Sequence, residues 1–189
     1  MDQYPQLHEF GPEAVSISLA PIVGAEADHL LVLSDDYMAS LYPAESNHLV
    51  SSESLRTGDA VFLGAFLSPD PNVSVNASIA ETKQSDGSSR QCIGCVAARF
   101  YRDAAYAEIK RLYVDEAHRG LGLARTLMDA IEAEIVAEGI DCARLEMGIY
   151  QPEADALYRS LGYRDILPFG DYLEDPLSQF LEKLPLGAA

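Results

Sequence analysis

Leu123, Leu127, Ile131 and Ile135 recur every four residues, which lays one apolar stripe along a helix that Gly139 stops. Just upstream the pattern has a different period. Tyr106, Ile109, Leu112, Tyr113 and Val114 crowd into a β-friendly run, which predicts a strand over 106–114. Between the two, the polar stretch Asp115-Glu116-Ala117-His118 ends the strand, and Arg119-Gly120-Leu121-Gly122-Leu123-Ala124 opens the helix. Strand, glycine-bearing loop and helix form the unit around which the chain is arranged.

From the N-terminus, residues 1–13 read as a loose leader, and alternation over 14–20 predicts a first strand. Leu30, Leu31, Leu33, Tyr37, Met38 and Leu41 give 24–40 an apolar side and predict a helix that Pro43 breaks. A short second helix is expected over 51–55. Val61, Phe62, Leu63, Ala65 and Phe66 mark a strand over 59–67. The segment 68–90 is rich in Pro, Ser, Asn and Gly and predicts a flexible loop inserted within the domain. Residues 91–102 read as the next strand, and 103–105 as the turn into the 106–114 strand. Beyond Gly139 a strand is expected at 143–148 and a helix at 152–161, with Pro152 in its first turn. Strands at 163–166 and 178–184 flank a loop and complete the pattern. The order β-α-α-β-β-β-α-β-α-β-β implies an α/β (α+β) fold in one domain over 1–189: a mixed, mostly antiparallel sheet of about seven strands with helices on both faces.

Composition narrows the function classes. The chain has 189 residues, 48% of them hydrophobic, enough for one domain with a core rather than a disordered chain. No apolar run is long enough to span a membrane, and no basic region followed by an apolar core marks the start as a signal. A soluble cytoplasmic protein with no membrane partner is therefore the expectation. The formal charge of -17, from 13 Lys+Arg against 30 Asp+Glu, argues against nucleic-acid binding. It fits either a cationic substrate or simply an acidic, solubilising surface. Cys92 and Cys95 have zinc-like spacing, but no second pair of ligands lies near them, and Cys95 and Cys142 fall in apolar runs. The three read as buried thiols, and no metal is expected.

The glycine loop has a physical use. A helix begins with N–H groups that lack intrahelical partners, and the aligned peptide dipoles add positive charge there, so the end suits a phosphate. Gly120 and Gly122 let backbone approach an anion closely, and Arg119 can add charge from the side. The alternative is a compact strand-to-helix turn. A P-loop would need Gly-Lys-Ser/Thr where Ala124-Arg125-Thr126 stands. A dinucleotide fingerprint would need a third glycine where Arg125 stands.

Arg119-x-x-Gly122-x-Ala124 resembles the acyl-CoA loop, Arg/Gln-x-x-Gly-x-Gly/Ala, of the GNAT superfamily of N-acetyltransferases. The strand ending Leu112-Tyr113-Val114 resembles the strand that precedes that loop. Gln151-Pro152-Glu153-Ala154-Asp155-Ala156-Leu157-Tyr158-Arg159-Ser160-Leu161-Gly162-Tyr163 resembles the superfamily's Ala-x-x-Leu-Tyr-x-x-x-Gly-Phe/Tyr segment. The resemblance covers roughly 92–184. It implies acetyl-CoA as donor and a splay between the 106–114 and 143–148 strands where the donor lies. It places Leu112, Tyr113 and Val114 along pantetheine and thioester. The pyrophosphate would sit on Arg119, Gly120, Leu121, Gly122, Leu123 and Ala124, with Arg125 and Thr126 at the edge. Gln151 stands nearest to a position that is often Asn in relatives and contacts pantetheine.

The same resemblance supplies roles for the chemistry. Tyr158 matches the tyrosine that gives its phenolic proton to the departing thiolate; the alternative is a packed helix tyrosine. Glu108 resembles a strand-borne glutamate that acts as general base, directly or through water; the alternative is pairing with Lys110 or Arg111. Glu146 is the second choice for that base. Leu41-Tyr-Pro-Ala-Glu-Ser-Asn-His-Leu49 and Phe169-Gly-Asp-Tyr172-x-x-x-Pro176-Leu177-Ser178 resemble one bacterial, uncharacterised GNAT subgroup. They suggest that Glu45, Ser46, His48 and Tyr172 bind the acceptor, with Arg111 taking an acceptor carboxylate; loop capping is the alternative.

Together these imply an acetyl-CoA-dependent N-acetyltransferase in which a small-molecule primary amine attacks the thioester directly. Two other readings stay open: a protein or peptide N-acetyltransferase, and a non-catalytic acyl-CoA-binding regulatory domain. A homodimer would follow only from the commonness of closed two-fold dimers.

Overall fold

The structure is a computed structural model that describes residues 16–46, 51, 53–56, 58–68, 82–83 and 89–187. The leader over 1–13, His48 and most of the 68–90 segment lie outside the described residues.

A long hairpin forms the middle of the sheet. Strand β4 (Ser89–Tyr101) turns through a 3-10 turn at Arg102–Ala104 into β5 (Tyr106–Val114). Ala105 closes the turn with φ 54°. Strands β1 (Ser16–Pro21) and β2 (Ala60–Ser68) extend the sheet antiparallel on one side. On the other side come β6 (Ala143–Gly148), β8 (Ser178–Lys183) and the short β7 (Arg164–Asp165). The order is β1-β2-β4-β5-β6-β8-β7, with β3 (Thr82–Lys83) pairing β4 off this path. The segment expected as a loop over 68–90 thus holds β3, and β4 begins at Ser89 rather than Gln91 because Thr82 and Lys83 pair with Arg90 and Ser89.

Alternating side chains build a core on each face of the sheet. Helix α1 (Asp28–Leu41) covers one face, where Leu30 and Leu31 meet Phe62, Phe66 and Tyr113. Helix α2 (Leu123–Ala137) covers the other with Leu127, Met128, Ile131 and Ile135, each fully buried, against Leu63, Ile93 and Val96. Burying each such side chain stabilises the fold by about 1.5–3 kcal/mol. Helix α3 (Pro152–Ser160) joins the α2 side through Tyr158.

Two irregularities make room for a site. Strands β5 and β6 run parallel but pair only at Ala107↔Ala143 and Glu108↔Arg144. Beyond those residues they part, and a cleft opens between them. In β5 the register with β4 shifts, with Cys95 opposite Tyr113 but Ala97 opposite Lys110. Arg111 takes up the extra residue with φ 58°, in the left-handed region. For a residue with a Cβ that conformation costs about 1–2 kcal/mol. An ion pair from the Arg111 guanidinium to Asp35 of α1 helps hold it.

Candidate active site

The cleft between β5 and β6 has a volume of about 640 Å³. Its floor is β5 from Ile109 to Val114. One end is the start of α2, the far wall is β6 and α3, and α1 closes over it with Ser34, Tyr37 and Met38.

At the α2 end the helix begins without a side-chain cap, and Gly122 stands at its N-cap with φ 77° and ψ 4°. The first amide to find an intrahelical partner is Thr126 N–H, on Gly122 O at 3.1 Å. The amides of Leu123, Ala124 and Arg125 therefore point out of the helix start, where partial positive charge accumulates. A Cβ built on Gly120 or Gly122 would meet nothing within 4 Å. Glycine is needed here for its positive φ, 80° and 77°, and not for lack of space. Arg119 stands beside the loop. Its Nε donates to Val114 O at 3.1 Å, and its guanidinium lies 5.6 Å from the Tyr113 ring centre and 5.9 Å from that of Tyr37. Arg125 donates to Ser160 Oγ and ties α2 to the end of α3. An uncapped helix start with an arginine at its side fits a pyrophosphate.

Tyr158 faces the cleft from α3 with 7% of its surface exposed. Its ring packs edge-on against Tyr163, 5.7 Å between centres. Burial raises its phenol well above the ordinary value, and the nearby Glu146 carboxylate adds to the rise. The hydroxyl is therefore neutral and able to donate at any physiological pH. Glu146 lines the cleft from β6 and accepts from Ser178 Oγ at 2.6 Å.

Glu108 sits elsewhere. It is 3% exposed, is not among the cleft-lining residues, and accepts from Tyr172 at 2.6 Å and Tyr101 at 3.2 Å. Lys110 Nζ stands 2.7 Å from the same carboxylate and 2.8 Å from the Tyr172 hydroxyl. The pairing with Lys110 that the sequence left as an alternative is thus formed. Tyr172 turns its hydroxyl to Glu108 and does not line the cleft, whereas Lys110 does.

Of the residues expected to hold the donor, Leu112, Tyr113, Val114, Arg119, Gly120, Gly122, Leu123, Ala124, Arg125 and Gln151 line the cleft. Leu121 and Thr126 do not; Thr126 Oγ1 donates back to Gly122 O. Gln151 spends its side-chain oxygen on the Gly148 N–H at 3.3 Å. Of the residues expected to bind the acceptor, Ser46 and Arg111 line the cleft, and Glu45 lies in the 3-10 turn Ala44–Ser46. Sequence reasoning missed Ser34, Tyr37 and Met38. Their i, i+3, i+4 spacing puts them on one helix side, but periodicity alone does not distinguish a cleft from a core.

The thiols are poor nucleophiles. Cys92, Cys95 and Cys142 are buried and unpaired, and burial pushes Cys92 up to about 12 and Cys142 up to about 11. Among the described residues no group of His, Cys, Asp and Glu could hold a metal, and no helix is long and apolar enough to cross a membrane.

Comparison with known proteins agrees with this geometry. A family model described as an acetyltransferase (GNAT) domain matches residues 79–165. A protein from Azospirillum brasilense named IAA acetyltransferase is 38% identical over 149 residues, covering 79% of this chain and 84% of the relative. A crystal structure from Klebsiella pneumoniae subsp. pneumoniae MGH 78578, provisionally named an acyl-CoA N-acyltransferase, superposes with a TM-score of 0.65 at 27% identity, covering 90% of this chain and 97% of that one. The PaiA N-acetyltransferase of Thermoplasma acidophilum, solved with coenzyme A, shares the fold with a TM-score of 0.58 at 20% identity over 89% of this chain and 99% of its own. With a splayed sheet, an uncapped glycine-led helix and these relatives, the chain belongs to the GNAT family of acetyltransferases and is an acyltransferase.

Proposed function

We propose that the protein transfers acetyl from acetyl-CoA to the primary amine of a small molecule, by direct attack of the amine on the thioester. One observation carries this reading: the anion-suited start of α2 and Tyr158 line the same cleft, which opens where β5 and β6 part.

Acetyl-CoA supplies the acyl group as an activated thioester. The amides of Leu123, Ala124 and Arg125, with Arg119, hold its pyrophosphate. Leu112, Tyr113 and Val114 guide the pantetheine arm along β5, and a backbone N–H there polarises the carbonyl. Tyr158 gives a hydrogen bond to charge developing on sulfur. Its raised pKa makes complete proton loss uphill, so the bond, rather than the bare proton, is its contribution. Glu146 and Glu153 both line the cleft, and we assign to Glu146, the one whose charge acts on Tyr158, the removal of the amine's proton, directly or through water. Glu108 is buried against Lys110 and two tyrosines and serves instead to set the Lys110 side chain. Ser46, Lys110 and Arg111 border the acceptor end. Three free, buried thiols suit a reducing compartment such as the cytoplasm.

Isothermal titration with acetyl-CoA, CoA and NAD is the first test. Binding of acetyl-CoA on the order of micromolar, with none of NAD, is expected. Thiol release from acetyl-CoA is then followed with a mixed pool of primary amines, a peptide pool and IAA as separate arms. Absence of acetyl-CoA binding would reduce the glycine loop to a turn. Turnover only with peptides would replace the small-molecule reading.

A further inference from the structure

Glu132 is a carboxylate on the core side of α2, 8% exposed. One of its oxygens accepts from the Tyr163 hydroxyl at 2.9 Å, and the other meets Lys183 Nζ, at the end of β8, at 2.5 Å. Lys183 also stands 5.9 Å from the centre of the Tyr163 ring. Tyr163 is 1% exposed and lies three residues past the end of α3. Its N–H donates to Tyr158 O at 3.0 Å, and its ring is the edge-on neighbour of the Tyr158 ring. None of Glu132, Tyr163 and Lys183 lines the cleft.

Such a network is a weak source of stability. Taking a carboxylate and an ammonium out of water costs several kcal/mol each, and apolar residues of similar size often do as well or better. What it does provide is direction. Three strongly oriented groups join α2, the segment that leaves α3, and β8. Helix α2 carries the pyrophosphate cradle at its start, and α3 carries Tyr158. Tyr163 has one ring contact to Tyr158 and one hydroxyl contact to α2, so it fixes how α3 sits relative to the helix that anchors the donor.

We propose that Glu132, Lys183 and Tyr163 are positioning residues that aim the Tyr158 hydroxyl at the donor sulfur, at a distance set from the cradle on the same helix. The proposal rests on the reading of Tyr158 as hydrogen-bond donor to sulfur. It predicts that the network acts through Tyr158 and has no effect once that hydroxyl is gone.

Binding of CoA and acetyl-CoA to the full chain tests this without knowledge of the acceptor. Titrations are run at about pH 7 and about pH 9, between which a free thiol largely ionises. A neutral Tyr158 hydroxyl favours the thiolate, so Tyr158→Phe should weaken CoA relative to acetyl-CoA about tenfold at the higher pH, the size of a hydrogen bond to a charged group. Tyr163→Phe keeps the ring and removes the hydroxyl; Glu132→Gln keeps an acceptor and removes the charge. Each should reproduce at least a threefold part of that loss, and neither should add to it in the Tyr158→Phe background. Full additivity in that background, or an unchanged CoA preference in both variants, overturns the proposal while leaving Tyr158 its role. An unchanged preference in Tyr158→Phe itself removes the role, and the proposal with it. Melting temperatures of the variants report folding separately and do not decide the question.

Discussion

Tyr158 combines burial with a polar end, and the combination is informative. A phenol packed only for its ring gains nothing from its hydroxyl, whereas Tyr158 also lines the cleft. Replacing Tyr158 by Phe keeps the ring against Tyr163 and removes the donor, so turnover with an accepted amine should fall about a hundredfold while acetyl-CoA affinity stays within about twofold. Unchanged turnover would return Tyr158 to the role of a core residue. The two carboxylates separate at the same scale. Glu146→Gln should lower turnover at least tenfold with the acceptor KM little changed. Glu108→Gln should leave turnover nearly unchanged and raise the acceptor KM, because it leaves Lys110 without its charge partner. The opposite pair of outcomes would make Glu108 the base. Tyr158 was legible in the sequence because a contiguous motif surrounds it. The neighbourhood of Glu108 was not, because its partner Tyr172 comes from 64 residues further on. Glu132 left a fainter signal: an acid at i+4 from Met128 and three residues before Ile135, inside an apolar helix side.

Element boundaries moved where a side chain competed with the backbone. The first helix was expected from residue 24, yet α1 starts at Asp28. Gly24 N–H is taken by the Glu26 carboxylate at 2.7 Å, a local turn that holds the chain out of the helix. The strand expected over 163–166 shrinks to Arg164–Asp165, because Tyr163 is drawn inward to Glu132. The helix after the glycine loop was placed well, since stripe, loop and stopping glycine agree with one another. That loop carries the element-scale prediction. Gly122→Ala adds a Cβ with open space around it but at φ 77°, so the cost is backbone strain of about 1–2 kcal/mol. Gly122→Glu adds a carboxylate at the phosphate end and should weaken acetyl-CoA at least tenfold beyond the alanine variant. Equal affinities for the two variants would show that no anion sits there.

For the molecule as a whole, sequence periodicity gave the faces of the sheet but not its partners. Alternation tells which side chains share a face; it does not tell that β5 and β6 pair at only two positions, which is what opens the cleft. The whole molecule also has a pH limit that follows from its core. Burial raises the Cys92 and Cys142 thiols from an ordinary 9.0 to about 12 and about 11. It raises the Tyr158 and Tyr163 phenols above an ordinary 10.0. In each case the folded chain keeps a proton that the unfolded chain gives up. The stability these groups contribute is fully present below about pH 9 and is lost as pH climbs through the unfolded values toward the folded ones. Each proton released also adds to a net charge that is already -17, so self-repulsion acts in the same direction. The melting temperature should be nearly level from about pH 7 to about pH 9 and fall steeply above it, and replacing Cys92, Cys95 and Cys142 together by Ala should move the onset toward the range where tyrosine ionises, because burial raises the Cys95 thiol as well. A melting temperature that stays level to about pH 11 would mean that these side chains reach solvent in the folded protein, and that the core beside Tyr158 is more open than its packing implies.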